Sequence, residues 1–116
     1  MKLPENTLIA YEKLTKYLLL PKEDDDKSLW LARAGYISEN WKLLENDLRT
    51  QILPRDARPI ENTKYGQRYE IRGKITGPNG KILSIRTIWM TETATGITKF
   101  ITLFPDRRRK DDLQIV

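Results

Sequence analysis

Two arginines, Arg72 and Arg86, are the residues whose predicted placement most directly suggests chemistry. The segment Thr76-Gly77-Pro78-Asn79-Gly80-Lys81 has the composition of a tight hairpin turn, in which Gly77 would pair with Lys81. Counting outward from that pair sets Arg72 opposite Arg86 on neighbouring strands. Like charges directly across a ladder destabilise it unless an anion or an acidic side chain lies between them. Since a guanidinium suits bidentate contact with phosphate, the pair has the geometry of a phosphate clamp.

An ion-pair cluster on the protein surface is the alternative interpretation of these arginines. Glu70 lies diagonally from Arg86 in the same register and could neutralise it, in a contact worth only a fraction of a kcal/mol. Arg86 is the stronger candidate for a functional role. It shares its face with Ile82, Ile88 and Met90, and an isolated charge among apolar neighbours should have a reason to be there.

The element that must position this pair is an antiparallel sheet over residues 66–104. The register predicts a core face and a reverse face for the first two strands. The core face would carry Tyr69, Ile71, Gly73 and Ile75, opposite Trp89, Thr87, Ile85 and Leu83. The reverse face would carry Arg68, Glu70, Arg72 and Lys74, opposite Met90, Ile88, Arg86 and Ser84.

A further strand, Ile97 to Phe104, should return through the four-residue loop Thr93-Ala94-Thr95-Gly96. Strict alternation after that loop places Phe100, Thr102 and Phe104 on the core face. It places Lys99, Ile101 and Leu103 on the reverse face. The reverse face would then be basic at one end and apolar at the other.

The first half of the chain has the spacing of helices. Apolar stripes and breakers predict helices from Ala10 to Leu19 and from Lys27 to Ala34, the second with Asp26 as its N-cap. A third helix should have Ser38 as its cap, carry Trp41, Leu44, Leu48 and Ile52 on one apolar stripe, and be broken by Pro54. Residues 53–65 are interpreted as the connection to the sheet. Trp30, Trp41 and Trp89 each fall on or beside an apolar stripe and are expected in the core. We therefore expect one α+β domain over residues 1–105, with N-terminal helices packed on one face of a C-terminal antiparallel sheet of three to four strands, and a basic, flexible tail over 106–116.

The 116-residue chain contains no cysteine and no histidine. These absences exclude a disulfide framework, a His/Cys zinc site, a cysteine nucleophile and a histidine acid or base. We expect no cofactor and no metal. The N-terminus lacks a long apolar segment and no stretch is long enough to span a bilayer, so the sequence predicts a cytoplasmic protein that does not bind membranes.

The net charge of +5 is concentrated in the second half of the chain. Residues 1–58 hold ten basic and ten acidic side chains, whereas residues 59–116 hold eleven basic and six acidic ones. A basic sheet favours nucleic acid or another polyanion as a partner, because binding phosphates releases counterions. The alternative is that the charge simply keeps a small protein soluble.

Short motifs along most of the chain resemble a family of small bacterial domains of unknown function, frequent in cyanobacteria. The motifs are Lys13-Leu14, Tyr17-Leu18-Leu19, Lys27 with Gly35-Tyr36, Glu39-Asn40-Trp41, Tyr65-Gly66-Gln67-Arg68-Tyr69, Gly77-Pro78-Asn79-Gly80, Ile88-Trp89 and Phe100-Ile101-Thr102. That family is similar to the barnase, EndoU, colicin and RelE-type superfold of small ribonucleases, many of which are toxins restrained by a small partner protein. Where the family often has Gly-Arg-x-Lys, this chain has Asp24-Asp25-Asp26-Lys27, which weakens any contact of this loop with phosphate.

The resemblance implies RNA cleavage without a metal ion, in which a cation stabilises the pentavalent phosphate while a base and an acid move protons. The candidate catalytic residues are Arg86, Arg72, Lys27 and Tyr65. The candidate RNA-binding residues are Arg68, Arg72, Lys74, Gln67, Arg86 and Lys99. RNA and a small antitoxin-like protein are the expected partners.

A non-catalytic protein-interaction domain is the competing hypothesis for function. On that hypothesis an exposed apolar patch of Ile88, Met90, Ile101 and Leu103 binds a partner or a second copy of the chain. The absence of histidine and the acidic segment Asp24-Asp25-Asp26 favour it.

Overall fold

Short helical segments make up the first half of the computed structural model, which describes residues 1–22 and 27–107. They are a π-helical segment Lys13–Leu18, helix α1 (Lys27–Ala32), a 3-10 turn Ser38–Asn40, helix α2 (Trp41–Asp47) and a second π-helical segment Leu48–Ile52. The three predicted helical regions are confirmed in position. Asp26, the predicted cap of α1, lies outside the described residues.

The last predicted helix is irregular at its start. Ser38 was predicted as its N-cap, but the Ser38 hydroxyl instead donates to the Leu19 carbonyl at 3.4 Å. The Asn40 side chain accepts from the Ile37 backbone N–H at 2.8 Å, so an asparagine bonds the backbone at this turn. The predicted apolar stripe is confirmed further along, since Leu44, Leu48 and Ile52 are fully buried.

Four antiparallel strands form one sheet in the order β1-β2-β3-β4. They are β1 (Arg58–Thr63), β2 (Gly66–Thr76), β3 (Ile82–Glu92) and β4 (Thr98–Pro105). The predicted β2–β3 register is confirmed over its length, including Arg72 opposite Arg86. The turn residues explain this success: Gly77 donates to the Lys81 carbonyl at 2.9 Å, and Gly80 adopts the positive φ of 89° that the turn requires.

Strand β1 was not predicted, because residues 53–65 were interpreted as a connection. All its residues from Arg58 to Asn62 are exposed, so the segment shows no apolar alternation. It also contains Pro59, which lacks an N–H donor and is tolerated only at a sheet edge or a bulge. The register of β1 on β2 shifts between Pro59 and Glu61.

Strand β4 differs from the prediction in its second half. Trp89 pairs with Phe100 but Ile88 pairs with Thr102, which leaves Ile101 as an extra residue in a bulge. One extra residue exchanges the two faces for everything that follows it. Thr102 and Phe104, predicted on the core face, therefore belong to the reverse face, while Leu103 is fully buried in the core.

The hydrophobic core lies between the helical segments and the core face of the sheet. Trp89 is fully buried and meets Phe100 edge to face, with ring centroids 5.2 Å apart. Trp30 and Trp41 are partly buried and pack against the same core. The predicted α+β class, with N-terminal helices packed on one face of a C-terminal antiparallel sheet, is confirmed.

Strand β4 ends at Pro105, and the Asp106 N–H donates to the Ser84 carbonyl at 2.9 Å. Residues 108–116, most of the predicted basic tail, lie outside the described residues. Across residues 1–22 and 27–107, no helix has both the length and the apolar character needed to cross a membrane.

Candidate functional site

A buried carboxylate occupies the middle of the reverse face. The Glu70 side chain is only 3% exposed and accepts from Arg58 Nη2 at 2.8 Å and from Arg72 Nη2 at 3.3 Å. It also accepts a short hydrogen bond from Arg86 Nε. We call Glu70, Arg58, Arg72 and Arg86 the arginine cluster. Glu70 thus neutralises the like-charged pair as the ion-pair interpretation predicted, although three cations share this one carboxylate.

The arginines decide the protonation state of Glu70. Burial alone raises the pKa of a carboxyl group, but here the hydrogen bonds from Arg86, Arg58 and Arg72 outweigh it and lower the pKa of Glu70 to about 2. Glu70 is therefore ionised at neutral pH. Its charge holds three guanidinium groups in fixed positions.

A second carboxylate reaches the cluster from the end of β4. Asp106 Oδ1 accepts from Arg72 Nη1 at 2.5 Å. Arg72 is thereby held between Glu70 and Asp106, which fixes the plane of its guanidinium group. This contact depends on the β4 bulge and on the backbone bond from Asp106 to Ser84.

Two buried guanidinium donors on this face have no acceptor within the part of the chain that the structure describes. They are the Nε–H groups of Arg68 and Arg72. A buried donor without an acceptor is uncommon and costly, so each one calls for a physical explanation. An incoming anion would supply the missing acceptors after a small movement of the side chains.

An aromatic ring links the arginine cluster to Lys27. Phe104 lies on the reverse face opposite Arg86, and the Arg86 Cζ is 5.8 Å from its ring centroid. The Lys27 ammonium lies 4.0 Å from the same centroid and donates to the Thr102 hydroxyl at 3.4 Å. Both contacts are cation–π arrangements that hold a positive charge close to an apolar surface.

A cavity of about 250 Å³ opens beside Lys27. It lies between the first helical segment and β4, and its lining is Lys13, Tyr17, Leu18, Lys22, Lys27, Ile101 and Thr102. Three of these residues are lysines, and Lys27 links them past Phe104 to the arginine cluster.

The structure brings together only part of the predicted site. Arg68, Arg72 and Arg86 share the reverse face, and Lys27 joins them through Phe104. Tyr65 does not join them, because it lies exposed in the turn between β1 and β2.

The remaining predicted RNA-binding residues lie away from the arginine cluster or are already bonded to other groups of the protein. Gln67 donates to the backbone carbonyls of Glu61 and Arg68. Lys99 pairs with Glu92 at 2.5 Å. Lys74 is exposed and lies opposite Ser84 near the hairpin end of the ladder.

The predicted apolar patch is wrong for two of its four residues. Ile88 is 2% exposed and Leu103 is fully buried, so neither can form a contact surface for a partner or a second copy. Met90 and Ile101 are half-buried. Leu103 was placed on the reverse face by strict alternation, and the bulge at Ile101 moves it to the core. Ile88 lies between Glu70 and Thr102 on neighbouring strands.

Arg58, Asp106 and Phe104 contribute to the site and were not predicted. Recognising β1 would have placed Arg58 opposite Glu70, but that strand carries no periodic signal. Asp106 and Phe104 depend on the bulge. No spacing in β4 distinguishes a bulged strand from a regular one.

A family model matches residues 2–107 of the chain, and its description is a domain of unknown function, DUF6883. The chain belongs to the DUF6883 family. The resemblance to a family of uncharacterised domains is thereby confirmed. None of the curated proteins matches this DUF6883 chain.

A solved structure supports the fold of this DUF6883 domain. One chain of a contact-dependent growth inhibition toxin–immunity protein complex from Klebsiella pneumoniae 342 matches with a TM-score of 0.66 and 18% sequence identity. The match covers 87% of this chain and 94% of the other. At this identity the likeness concerns the fold alone.

Proposed function

We propose that this domain is a toxin-like RNA-binding module that contacts RNA through the reverse face of its sheet. The observation that carries the proposal is the arginine cluster, in which three guanidinium groups share one buried carboxylate. With Arg68 and Lys27, five cationic side chains lie on or beside this face, together with the carboxylates of Glu70, Asp106 and Glu61, which lies opposite Arg68. Such a surface attracts phosphates and releases their counterions.

RNA cleavage is the activity that we propose for this face. Arg72 and Arg86 would stabilise the charge that develops on the phosphate during attack by the ribose 2′-hydroxyl. Glu70 is buried and bonded to all three arginines, so it would hold them in place and would not take the proton. The attacking 2′-hydroxyl would lose its proton to solvent, and the 5′-oxygen displaced from phosphorus would take a proton from solvent. The products would be a 2′,3′-cyclic phosphate and a 5′-hydroxyl.

The fold supports a toxin-like role and a protein partner. The structural neighbour comes from a toxin–immunity protein complex. The sequence motifs that resemble a family similar to RelE-type and barnase-type ribonucleases favour the same role. We propose that a small acidic protein restrains this domain by covering the same basic face. Carboxylates of the partner would then replace the phosphates of RNA.

The test is a cleavage assay on RNA in the presence of a chelator, with wild type, Arg86→Ala and Lys81→Ala. Lys81 is an exposed hairpin residue outside the cluster and serves as the matched control. Loss of a group that stabilises developing charge should lower the cleavage rate by about 10²–10³-fold in Arg86→Ala and leave Lys81→Ala unchanged. If the wild type binds RNA without cleaving it, the catalytic part of the proposal is wrong. If it neither binds nor cleaves, the whole proposal is wrong.

A further inference from the structure

The cavity beside Tyr17 indicates whether the domain binds single-stranded or duplex RNA. We infer that this cavity receives one unpaired RNA base, stacked on the Tyr17 ring, and that the substrate is therefore single-stranded RNA. The inference rests on the proposed function and adds to it a second contact site at a distance from the arginine cluster. It concerns the cavity formed by the segment Lys13–Leu18 and β4.

The aromatic ring of Tyr17 is not packed in the hydrophobic core. Its side chain is 59% exposed, whereas Leu14 and Leu18 of the same helical segment are buried. An exposed ring at the edge of a cavity is a stacking surface, because every base has a flat apolar face. Base–aromatic stacking is the usual way in which proteins hold unpaired nucleotides.

Two lysines lie over the Tyr17 ring. The Lys13 ammonium is 5.8 Å from the ring centroid and the Lys22 ammonium is 5.2 Å from it, in cation–π contacts. A base that stacks on Tyr17 would displace an ammonium from the ring, and the displaced lysine would pair with a phosphate beside the stacked base. The opposite wall of the cavity supplies the Thr102 hydroxyl, which can bond to a ribose or to a base edge.

The size of the cavity fits one base better than a larger ligand. Its volume of about 250 Å³ is below the range of about 300–1,000 Å³ typical of sites for drug-sized molecules. A base paired within a duplex has its edge blocked and its faces covered by neighbouring bases. Only an unpaired base could enter the cavity and stack on Tyr17.

Lys27 connects this cavity to the proposed phosphate site. It lines the cavity and also lies 4.0 Å from the Phe104 ring centroid, on which Arg86 also packs. A strand whose phosphate lies at Arg86 would pass Phe104 before it reaches Tyr17. The two sites therefore lie on one continuous path along the surface.

The test compares the affinity for a fluorescent single-stranded RNA with that for a duplex of the same sequence, measured by anisotropy. The proteins are wild type, Tyr17→Ala, Tyr17→Phe and Leu43→Ala, whose leucine is 45% exposed on α2 and outside the cavity. Loss of one stacking contact should weaken single-strand binding by about 5- to 150-fold in Tyr17→Ala. Duplex binding should not change. Tyr17→Phe keeps the ring and should restore most of the affinity, and Leu43→Ala should match wild type.

The outcomes separate this inference from the proposed function. If wild type binds single-stranded RNA and Tyr17→Ala binds it equally well, the base site is wrong while the arginine face stands. Equal weakening of single-strand and duplex binding in Tyr17→Ala would also overturn the base site. If wild type binds neither RNA, both proposals are wrong.

Discussion

Glu70 explains why two arginines can face each other across β2 and β3. A carboxylate that is 3% exposed needs partners, and Arg58, Arg72 and Arg86 supply them. The same contacts place the guanidinium groups where a phosphate could meet them. Stability and the proposed function thus depend on one residue.

The lowered pKa of Glu70 predicts an acid-sensitive contribution to stability. The pKa falls from 4.5 to about 2 on folding, which corresponds to about 3 kcal/mol. Since the pKa is lower in the folded state, this contribution is complete well above pH 4.5 and is lost as the pH falls toward 2. Most of the loss should occur between these two values.

Urea unfolding at a series of pH values checks this prediction. Glu70→Gln should be less stable than wild type by about 3 kcal/mol at pH 7, and the difference should shrink steadily below pH 4.5. Glu61→Gln is the matched control, because Glu61 is exposed on the neighbouring strand β1. A difference between Glu70→Gln and wild type that stays constant from pH 7 to pH 2 would contradict the ion-pair account.

At the scale of elements, the hairpin of β2 and β3 is fixed at its turn by packing as well as by hydrogen bonds. Gly77 lies so close to the residues after α1 that an added Cβ would be 2.1 Å from the Ala34 carbonyl oxygen. The Asn79 side chain donates to the Arg33 carbonyl at 2.9 Å in the same contact. The turn therefore docks the sheet onto the helical half.

Gly77→Ala should destabilise the domain by at least the ~1–3 kcal/mol typical of overpacking, because either the hairpin or the backbone near Ala34 must move. Gly96→Asn is the control. Gly96 has a positive φ of 73°, which asparagine tolerates, and nothing lies within 4 Å of its added Cβ. Thermal unfolding measures the melting temperature of both variants. If the melting temperature falls by the same small amount in both, the close contact at Gly77 does not contribute to stability.

Sequence patterns predicted the parts of the fold that local chemistry determines. The Pro-Asn-Gly turn sets the register, so Arg72, Arg86 and their relation to Glu70 could be read directly from the chain. The bulge at Ile101 could not be predicted, because no turn residue or break in the alternation of β4 marks it. That single residue determines whether Phe104 or Leu103 reaches the core.

The edge strand β1 was not predicted, for a different reason. Its pairing with β2 comes from backbone bonds, while its side chains from Arg58 to Asn62 remain exposed. Hydrophobic periodicity carries no information about such a strand. As a result, Arg58 was missed as a partner of Glu70.

At the scale of the whole molecule, the net positive charge of the chain and the position of the arginine cluster both indicate the reverse face as the RNA-binding surface. The second half of the chain carries the net positive charge, and its Arg72 and Arg86 surround Glu70 on the reverse face together with Arg58 of the first half. The first half contributes Lys27 and the cavity beside Tyr17. Both halves of the domain would thus contact the same RNA strand.

The most direct test of this account is the salt dependence of RNA binding. Anisotropy of a labelled single-stranded RNA should show wild-type affinity falling linearly with the logarithm of salt concentration. In Arg86→Ala, with folding verified by circular dichroism, the slope should be shallower by about 0.7, the value for one lost contact with a single strand. Lys81→Ala should retain the wild-type slope. Absence of wild-type binding at low salt, or identical slopes for wild type and Arg86→Ala, would contradict the central claim that the arginine cluster binds RNA.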